Sequence, residues 1–364
     1  MLRRGFATVF SLCALLSAGA ACAGDQVQQG SGGAPSITTG VTGTTSSGRT
    51  TSQTTTHAVS ASSTSGAGGA ASGAPYPIVL AHGFFGFNDF AGQNYLTYFY
   101  QVKDYLAQNG ETVYTPAVDP FNDSTYRGHQ LETAIEQILA DTGAKKVVIV
   151  GHSQGGLDAR VVAHEHPEYV AAVITIATPH HGTPIADVAM KLLANPNFSG
   201  IVDQLVNFIG APIWDQIGHS TAVSKPLYLF SQPGITAFNA TYTDSPGVFY
   251  ASIAGRSDMN PGGQTCASQK LLPFIESADN DLDPLNAGMW VLKPVLDGNG
   301  SEPFVHDGLI RAVDAKWGEF WGCIPGDHLD EIGQIFGASP GVGNPWKYKD
   351  FYLGLVKHIR ELGY

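Results

Sequence analysis

Lys145-Lys-Val-Val-Ile-Val-Gly-His-Ser-Gln-Gly-Gly156 is the stretch whose reading decides the fold. Lys146 to Val150 is a short, β-branched run of the kind that fills a buried parallel strand, and it passes without a spacer into Gly151-His152-Ser153-Gln154-Gly155. The pattern predicts a strand, a sharp turn and a helix from Gly155 to about His164. Glycines two residues before and after Ser153 leave room for a strained backbone, which would lift the hydroxyl clear of the sheet edge. The helix would aim its first amides at whatever sits on Ser153. A G-x-S-x-G pentapeptide by itself is often a Gly-rich turn and nothing more. Between a strand and a helix it points to a nucleophilic serine.

Upstream, Tyr76-Pro-Ile-Val-Leu-Ala81 is a second apolar run and ends in His82-Gly83-Phe84-Phe85-Gly86. A strand feeding a Gly-bracketed loop is where an oxyanion hole would be assembled, with the amides of Phe84 and Gln154 as donors; the plainer reading is a glycine turn. Tyr95, Leu96, Phe99, Val102, Tyr105 and Leu106 recur at helical spacing up to Asn109-Gly110, and Glu111 to Ala117 reads as a strand. Leu131, Ala134, Ile135, Ile138 and Leu139 mark a helix, with Gln130, Glu132 and Glu136 on its wet face. Ala171 to Ala177 is a further buried strand after the nucleophile helix. Strands and helices therefore alternate, as in a mostly parallel sheet with crossover helices on both faces.

Between Pro184 and Lys225 the pattern changes, and Ile201, Val202, Leu205, Val206, Phe208 and Ile209 form an apolar stripe. That helix either packs on the core or serves as an inserted lid over about 184–225. Pro226 to Phe230 and Val248 to Ala254 read as the last strands, and Tyr352 to Leu362 as a surface helix carrying a solvated His358.

The chain has 364 residues and a formal net charge of -12, without the Lys/Arg clusters that phosphate binding needs, so a nucleic-acid partner is not expected. Residues 1–23 read as an export signal: Arg3 and Arg4, an apolar run from Phe6 to Leu16, then Ala21-Cys22-Ala23. Two outcomes fit it, cleavage before Gly24 or lipidation of Cys22 in an imperfect lipoprotein box, so the destination is secretion or the cell envelope. Residues 24–74 are mostly Gly, Ser, Thr and Ala, with no Phe, Trp or Tyr and only Asp25 and Arg49 charged, a composition that cannot offset the entropy of ordering; they read as a disordered tether. Residues 75–364 must then supply the folded domain. In an oxidising destination the two cysteines of that part, Cys266 and Cys323, are expected to pair.

A serine nucleophile needs an imidazole to take its proton and a carboxylate to orient that imidazole. Behind a nucleophile elbow, chain order is serine, acid, histidine. Asp307, in a strand-end turn, and His328, in a loop before a helix, fit best as acid and base, with Asp297 and Asp314 as rival acids.

Taken in order, Pro77-Ile-Val-Leu-Ala-His-Gly83, Arg127-Gly-His-Gln-Leu131, Val150-Gly-His-Ser-Gln-Gly-Gly156, Thr178-Pro-His180, Phe238-Asn239, Leu282-Asp-Pro284, Asp307-Gly-Leu309 and His328-Leu-Asp-Glu-Ile332 with Gln334 resemble the secreted bacterial triacylglycerol lipases of the Pseudomonas and Burkholderia type. The resemblance implies an α/β-hydrolase fold, Ser153, Asp307 and His328 as the triad, and a lipid or ester substrate met at an interface. It also implies a structural Ca2+, held by Asp283 and Asp330 with the backbone carbonyls of Gln334 and Ala338; Asp327 or Asp330 as a helix cap is the plainer reading. The chain departs from the group in two respects. Val313 stands where the family's structural cysteine usually falls, and a tethered, lipidatable N-terminus leaves dependence on a dedicated folding chaperone open. Rival functions are a short-chain esterase or polyester depolymerase, and a surface binding protein with a degenerate hydrolase fold.

Overall fold

The computed structural model describes residues 75–84, 98–194, 224–268, 270, 272–276, 282–285, 289–290, 292–300, 302–334, 340 and 344–364. Residues 1–74, read above as export signal and tether, Phe85, the 201–209 stripe and Ala338 lie outside the described residues. Six strands form one parallel sheet: β1 Ile78–Ala81, β2 Val113–Tyr114, β3 Val147–His152, β4 Val170–Ile176, β5 Phe249–Gly255 and β6 Glu319–Ile324, in the order β2-β1-β3-β4-β5-β6. The helices that place the site are α1 Val102–Gln108, α2 Ser124–Thr142, α3 Gln154–Glu165, α4 Pro184–Leu193, α5 Ser224–Phe230, α6 Gln232–Thr241 and α7 Tyr348–Glu361.

The apolar runs read as continuous because both sheet faces are buried. Ile78, Leu80, Val148, Val150, Ile174 and Ile253 face one layer, where α1 and α7 pack through Val102, Leu106, Tyr352 and Leu355. Their neighbours Val79, Ala81, Ile149 and Val173 face the other layer, against Leu131, Ile135 and Val162 of α2 and α3. Helix α2 starts where the Asp123 carboxylate accepts from the Tyr126 amide at 3.0 Å and stops at Gly143, which has φ 69°. Because the chain passes from β1 out to β2 and then returns to place β3 on the other side of β1, the strand order reverses there. Crevices at the carboxyl ends of strands flanking such a reversal are where open α/β sheets bind ligands.

Four readings are corrected. Pro226–Phe230 is helical, within α5, because Ser224-Lys225 precedes the proline and places it in the first turn, where its missing N–H costs nothing. The strand expected over Glu111–Ala117 shrinks to two residues at the sheet edge. Strand β6 went unread, since Glu319, Gly322 and Cys323 interrupt its apolar pattern, and it completes the sheet beyond β5. His358 is likewise not a solvated side chain: it is 17 % exposed, wedged between the rings of Trp321 and Phe274.

Cys266 and Cys323 are joined by a disulfide that ties β6 to the Gly263–Cys266 helical turn. Closing a loop with a sequence separation of 57 contributes about 4 kcal/mol on the chain-entropy model.

Candidate active site

Strand β3 ends at His152, and Ser153 follows with φ 54° and ψ -129°, a conformation that costs a non-glycine residue about 1–3 kcal/mol. The Ser153 N–H donates to Ile176 O at 2.9 Å, and the Gly156 N–H donates to Ser153 O at 3.1 Å. The glycines are required by close approach: a Cβ on Gly155 would lie 2.1 Å from Ala81 O, and one on Gly151 2.5 Å from the Gly156 nitrogen. Gln154 opens α3, so its N–H has no partner within the helix, while its side chain is drawn aside to donate to Asn122 O at 2.8 Å.

Beside this turn, β1 runs into His82-Gly83-Phe84, and a residue of α2 holds that loop. Arg127 is fully buried; it donates to His82 O at 2.6 Å, to Gly83 O at 3.2 Å and to Asp119 O at 3.1 Å, and its Nε donates to the Asp158 carboxylate at 2.8 Å. Burial pushes the Asp158 carboxyl up to about 6, against the pull of Arg127. Burial and then the Arg127 charge push the His82 imidazole down to about 3, so it is neutral: Nδ1–H donates to Gly83 O at 3.0 Å and Nε2 accepts from the Val118 N–H at 3.1 Å. The N–H and C=O of one peptide unit point opposite ways. Tying Gly83 O to Arg127 and His82 therefore turns the Phe84 N–H away from the arginine.

Asp307 lies in a turn closed by the antiparallel bridge between His306 and Arg311. Its Oδ1 accepts from the amides of Leu309 at 2.8 Å and Ile310 at 2.6 Å, and its Oδ2 accepts from Nδ1–H of His328 at 2.7 Å. The His328 amide donates to Asp307 O at 2.9 Å, so backbone and side chain both lock the pair. With Nδ1 committed, Nε2 is the nitrogen left for proton transfer. The rivals are occupied elsewhere: Asp297 pairs with Lys293 and His306, and Asp314 with Arg311.

Sequence reasoning missed the support beneath this dyad. His152 is buried between the Tyr98 hydroxyl at 2.7 Å and the Glu331 carboxyl at 2.7 Å, and its ring lies against that of His328. Burial, with His328 close by, pushes His152 well below its ordinary value, and burial, reinforced by Asp307 and the neighbouring aspartates, pushes Glu331 well above. Both shifts favour the uncharged forms of the pair. A glutamate with no lysine or arginine near it in the chain was the only available signal.

Asp283, Asp327 and Asp330 lie together: one oxygen from each lies within 4.8 Å of the others, and all three side chains are buried. Asp327 also caps the following turn, accepting from the amides of Leu329 and Asp330, so the cap and cluster readings hold together. Asp330 Oδ1 is buried without a hydrogen-bond partner, and burial, then the charges of Asp327 and Asp283, push this carboxyl up to about 8. Gln334 is described and holds Tyr98 O through its side chain at 3.3 Å.

A parallel sheet whose serine elbow, loop amides and buried carboxylate–imidazole pair gather at one edge defines a serine ester hydrolase of the α/β-hydrolase fold. Residues 76–207 match the family model for that fold, the alpha/beta hydrolase fold. The chain is 40% identical over 292 residues to a triacylglycerol lipase of Pseudarthrobacter phenanthrenivorans, covering 72% of this chain and 90% of that one. It is 37% identical over 292 residues to a triacylglycerol lipase of Burkholderia plantarii, covering 72% and 80%. The crystal structure of Staphylococcus hyicus lipase shares the fold, with a TM-score of 0.51 at 17% identity over 79% of this chain and 95% of that one. The chain belongs to the bacterial triacylglycerol lipase family.

Proposed function

We propose that this chain hydrolyses triacylglycerols and related carboxylic esters, with Ser153 as nucleophile, His328 as general base and acid, and Asp307 as the carboxylate that orients it. The carrying observation is the buried 2.7 Å contact between Asp307 Oδ2 and His328 Nδ1, set against the residue that precedes Ser153. Ser153 Oγ attacks the ester carbonyl as its proton passes to His328 Nε2. Asp307 stabilises the imidazolium, and the amides of Phe84 and Gln154 receive the oxyanion. The imidazolium then protonates the departing alcohol. Water enters, gives its proton to His328 and releases the fatty acid. Phe230 of α5 packs edge-on against Phe84, and Val188 of α4 and Tyr228 of α5 are exposed; exposed apolar side chains on these helices suit a substrate presented at a lipid surface.

Asp283, Asp327 and Asp330 fit Ca2+: an all-oxygen, buried donor set suits a hard cation, and Asp330 Oδ1 lacks any other partner. The carbonyls of Gln334 and Ala338 complete the proposed ligand set. Such an ion would supply charge compensation that braces the loop carrying His328, and it takes no part in the ester chemistry.

We also propose export through residues 1–23, with residues 24–74 spacing the lipase domain from its point of release or from a lipidated Cys22. Mass spectrometry of the mature N-terminus distinguishes the two. The activity itself is tested with Ser153→Ala on emulsified long-chain triacylglycerol and with fluorophosphonate labelling of the parent. Turnover retained by the purified variant, or an unlabelled parent, would remove the assignment.

A further inference from the structure

Away from the active site, four side chains gather where the end of α3 meets the second turn of α2. His129 and Glu132 stand at i and i+3 on α2, Glu165 is the last residue of α3, and His166 caps that helix. His129 Nε2 is 2.9 Å from Glu165 Oε2, and His166 Nε2 is 2.9 Å from Glu132 Oε1. Ligand atoms of His129, Glu132 and Glu165 all lie within 4.8 Å of one another. A tetrahedral ion with bonds of about 2.0–2.2 Å spaces its ligands about 3.3–3.6 Å apart. Only small side-chain movements separate His129, Glu132 and Glu165 from a shared centre, and His166 Nε2 adjoins it through Glu132.

We propose that His129, Glu132, Glu165 and His166 form a surface site for a borderline divalent transition-metal ion, Zn2+ foremost, separate from the buried all-oxygen cluster. The surroundings of His166 supply a second, independent observation. Its Nδ1 is bonded to the Glu168 carboxylate at 3.1 Å, which leaves Nε2 facing the cluster, and its ring is stacked on Tyr169 at 5.0 Å and 10°. A carboxylate on the far nitrogen is how metal-bound imidazoles are oriented and made more basic. The helices hold a fixed spacing, since a Cβ on Gly128 would lie 2.6 Å from Val161 Cβ. The His129 side chain is 52% exposed, so an ion reaches the site without unfolding. Two imidazole nitrogens favour Zn2+, Ni2+ or Cu2+ over Ca2+, whereas the buried carboxylates prefer the reverse. A bound ion would fasten the far end of the nucleophile helix to α2.

The test uses the full chain saturated with Ca2+. ZnCl2 is titrated calorimetrically and in thermal melts, and CoCl2 is added to read the visible bands of tetrahedral Co2+. The parent should bind Zn2+ with a rise in Tm and develop the Co2+ bands. The H129A/H166A double variant should lose the binding, the Tm rise and the bands. E168Q, which keeps every direct ligand, should bind Zn2+ about 10-fold more weakly, and excess Ca2+ should displace none of it. Equal Zn2+ affinity and equal Tm rise in the parent and H129A/H166A would place the ion elsewhere and overturn the proposal, as would a parent that binds no Zn2+.

Discussion

The imidazoles of His152 and His328 lie against each other, ring centroids 4.5 Å apart and planes tilted by 46°. His152 ends β3 and His328 follows β6, and β4 and β5 stand between those strands in the sheet. Three strand spacings amount to about 14 Å. The loop after β6 therefore has to fold back across the sheet edge to bring the base to Ser153, and its anchors are Asp307 on one side of His328 and the acidic cluster on the other.

Asp307→Asn keeps an oxygen for the amides of Leu309 and Ile310 but offers an N–H where His328 Nδ1–H now donates. The imidazole should flip to the wrong tautomer. On a soluble ester, kcat should fall about 10⁴-fold with Tm nearly unchanged; a loss under tenfold would count against Asp307 as the acid.

Gly83→Ala would place a Cβ 2.6 Å from Ser153 Cβ and 2.5 Å from the Tyr98 hydroxyl oxygen. Relief of that contact must move the loop bearing the Phe84 amide. We expect kcat/KM to fall about 100-fold, the scale of one lost oxyanion donor, with fluorophosphonate labelling slowed in parallel. Unchanged labelling kinetics would show that the loop amide is not used.

Removal of the Arg127 charge in Arg127→Met leaves Asp158 buried without its partner and frees the carbonyls of His82 and Gly83. Breaking a buried pair in this way costs about 3–5 kcal/mol. Denaturant unfolding should show that loss, and R127M/D158L should recover part of it, because the second change removes the stranded carboxylate. A single variant as stable as the parent would contradict the pairing.

Calcium should matter most at high pH. Without a cation, burial and the two neighbouring aspartates raise Asp330 from 3.8 to about 8. A carboxyl whose pKa rises on folding holds its proton more tightly when folded, so its stabilising share is complete below about pH 4 and is lost as pH climbs through about 8. A bound dication balances the carboxylates and removes that loss. The difference in Tm between Ca2+-loaded and chelated protein should widen from about pH 5 to about pH 8; a pH-independent difference would argue against an ion at this cluster.

Local chemistry made the strands β1, β3, β4 and β5, the helices α2 and α3 and the serine elbow legible in the sequence. Valine and isoleucine runs, helical apolar spacing and glycines flanking Ser153 express preferences that act over a few residues. The disulfide was expected from the two cysteines of residues 75–364, behind a stretch that reads as an export signal. Asp307 and His328 were already the best-fitting acid and base in the sequence, whereas tertiary structure alone decided that β6 is a strand and that Pro226–Phe230 is a helix. It also decided that Asp327 completes an acidic trio and that Arg127, His152 and Glu331 hold the site from below. Those outcomes rest on contacts between residues far apart in the chain, where burial and pairing override what each short segment favours alone.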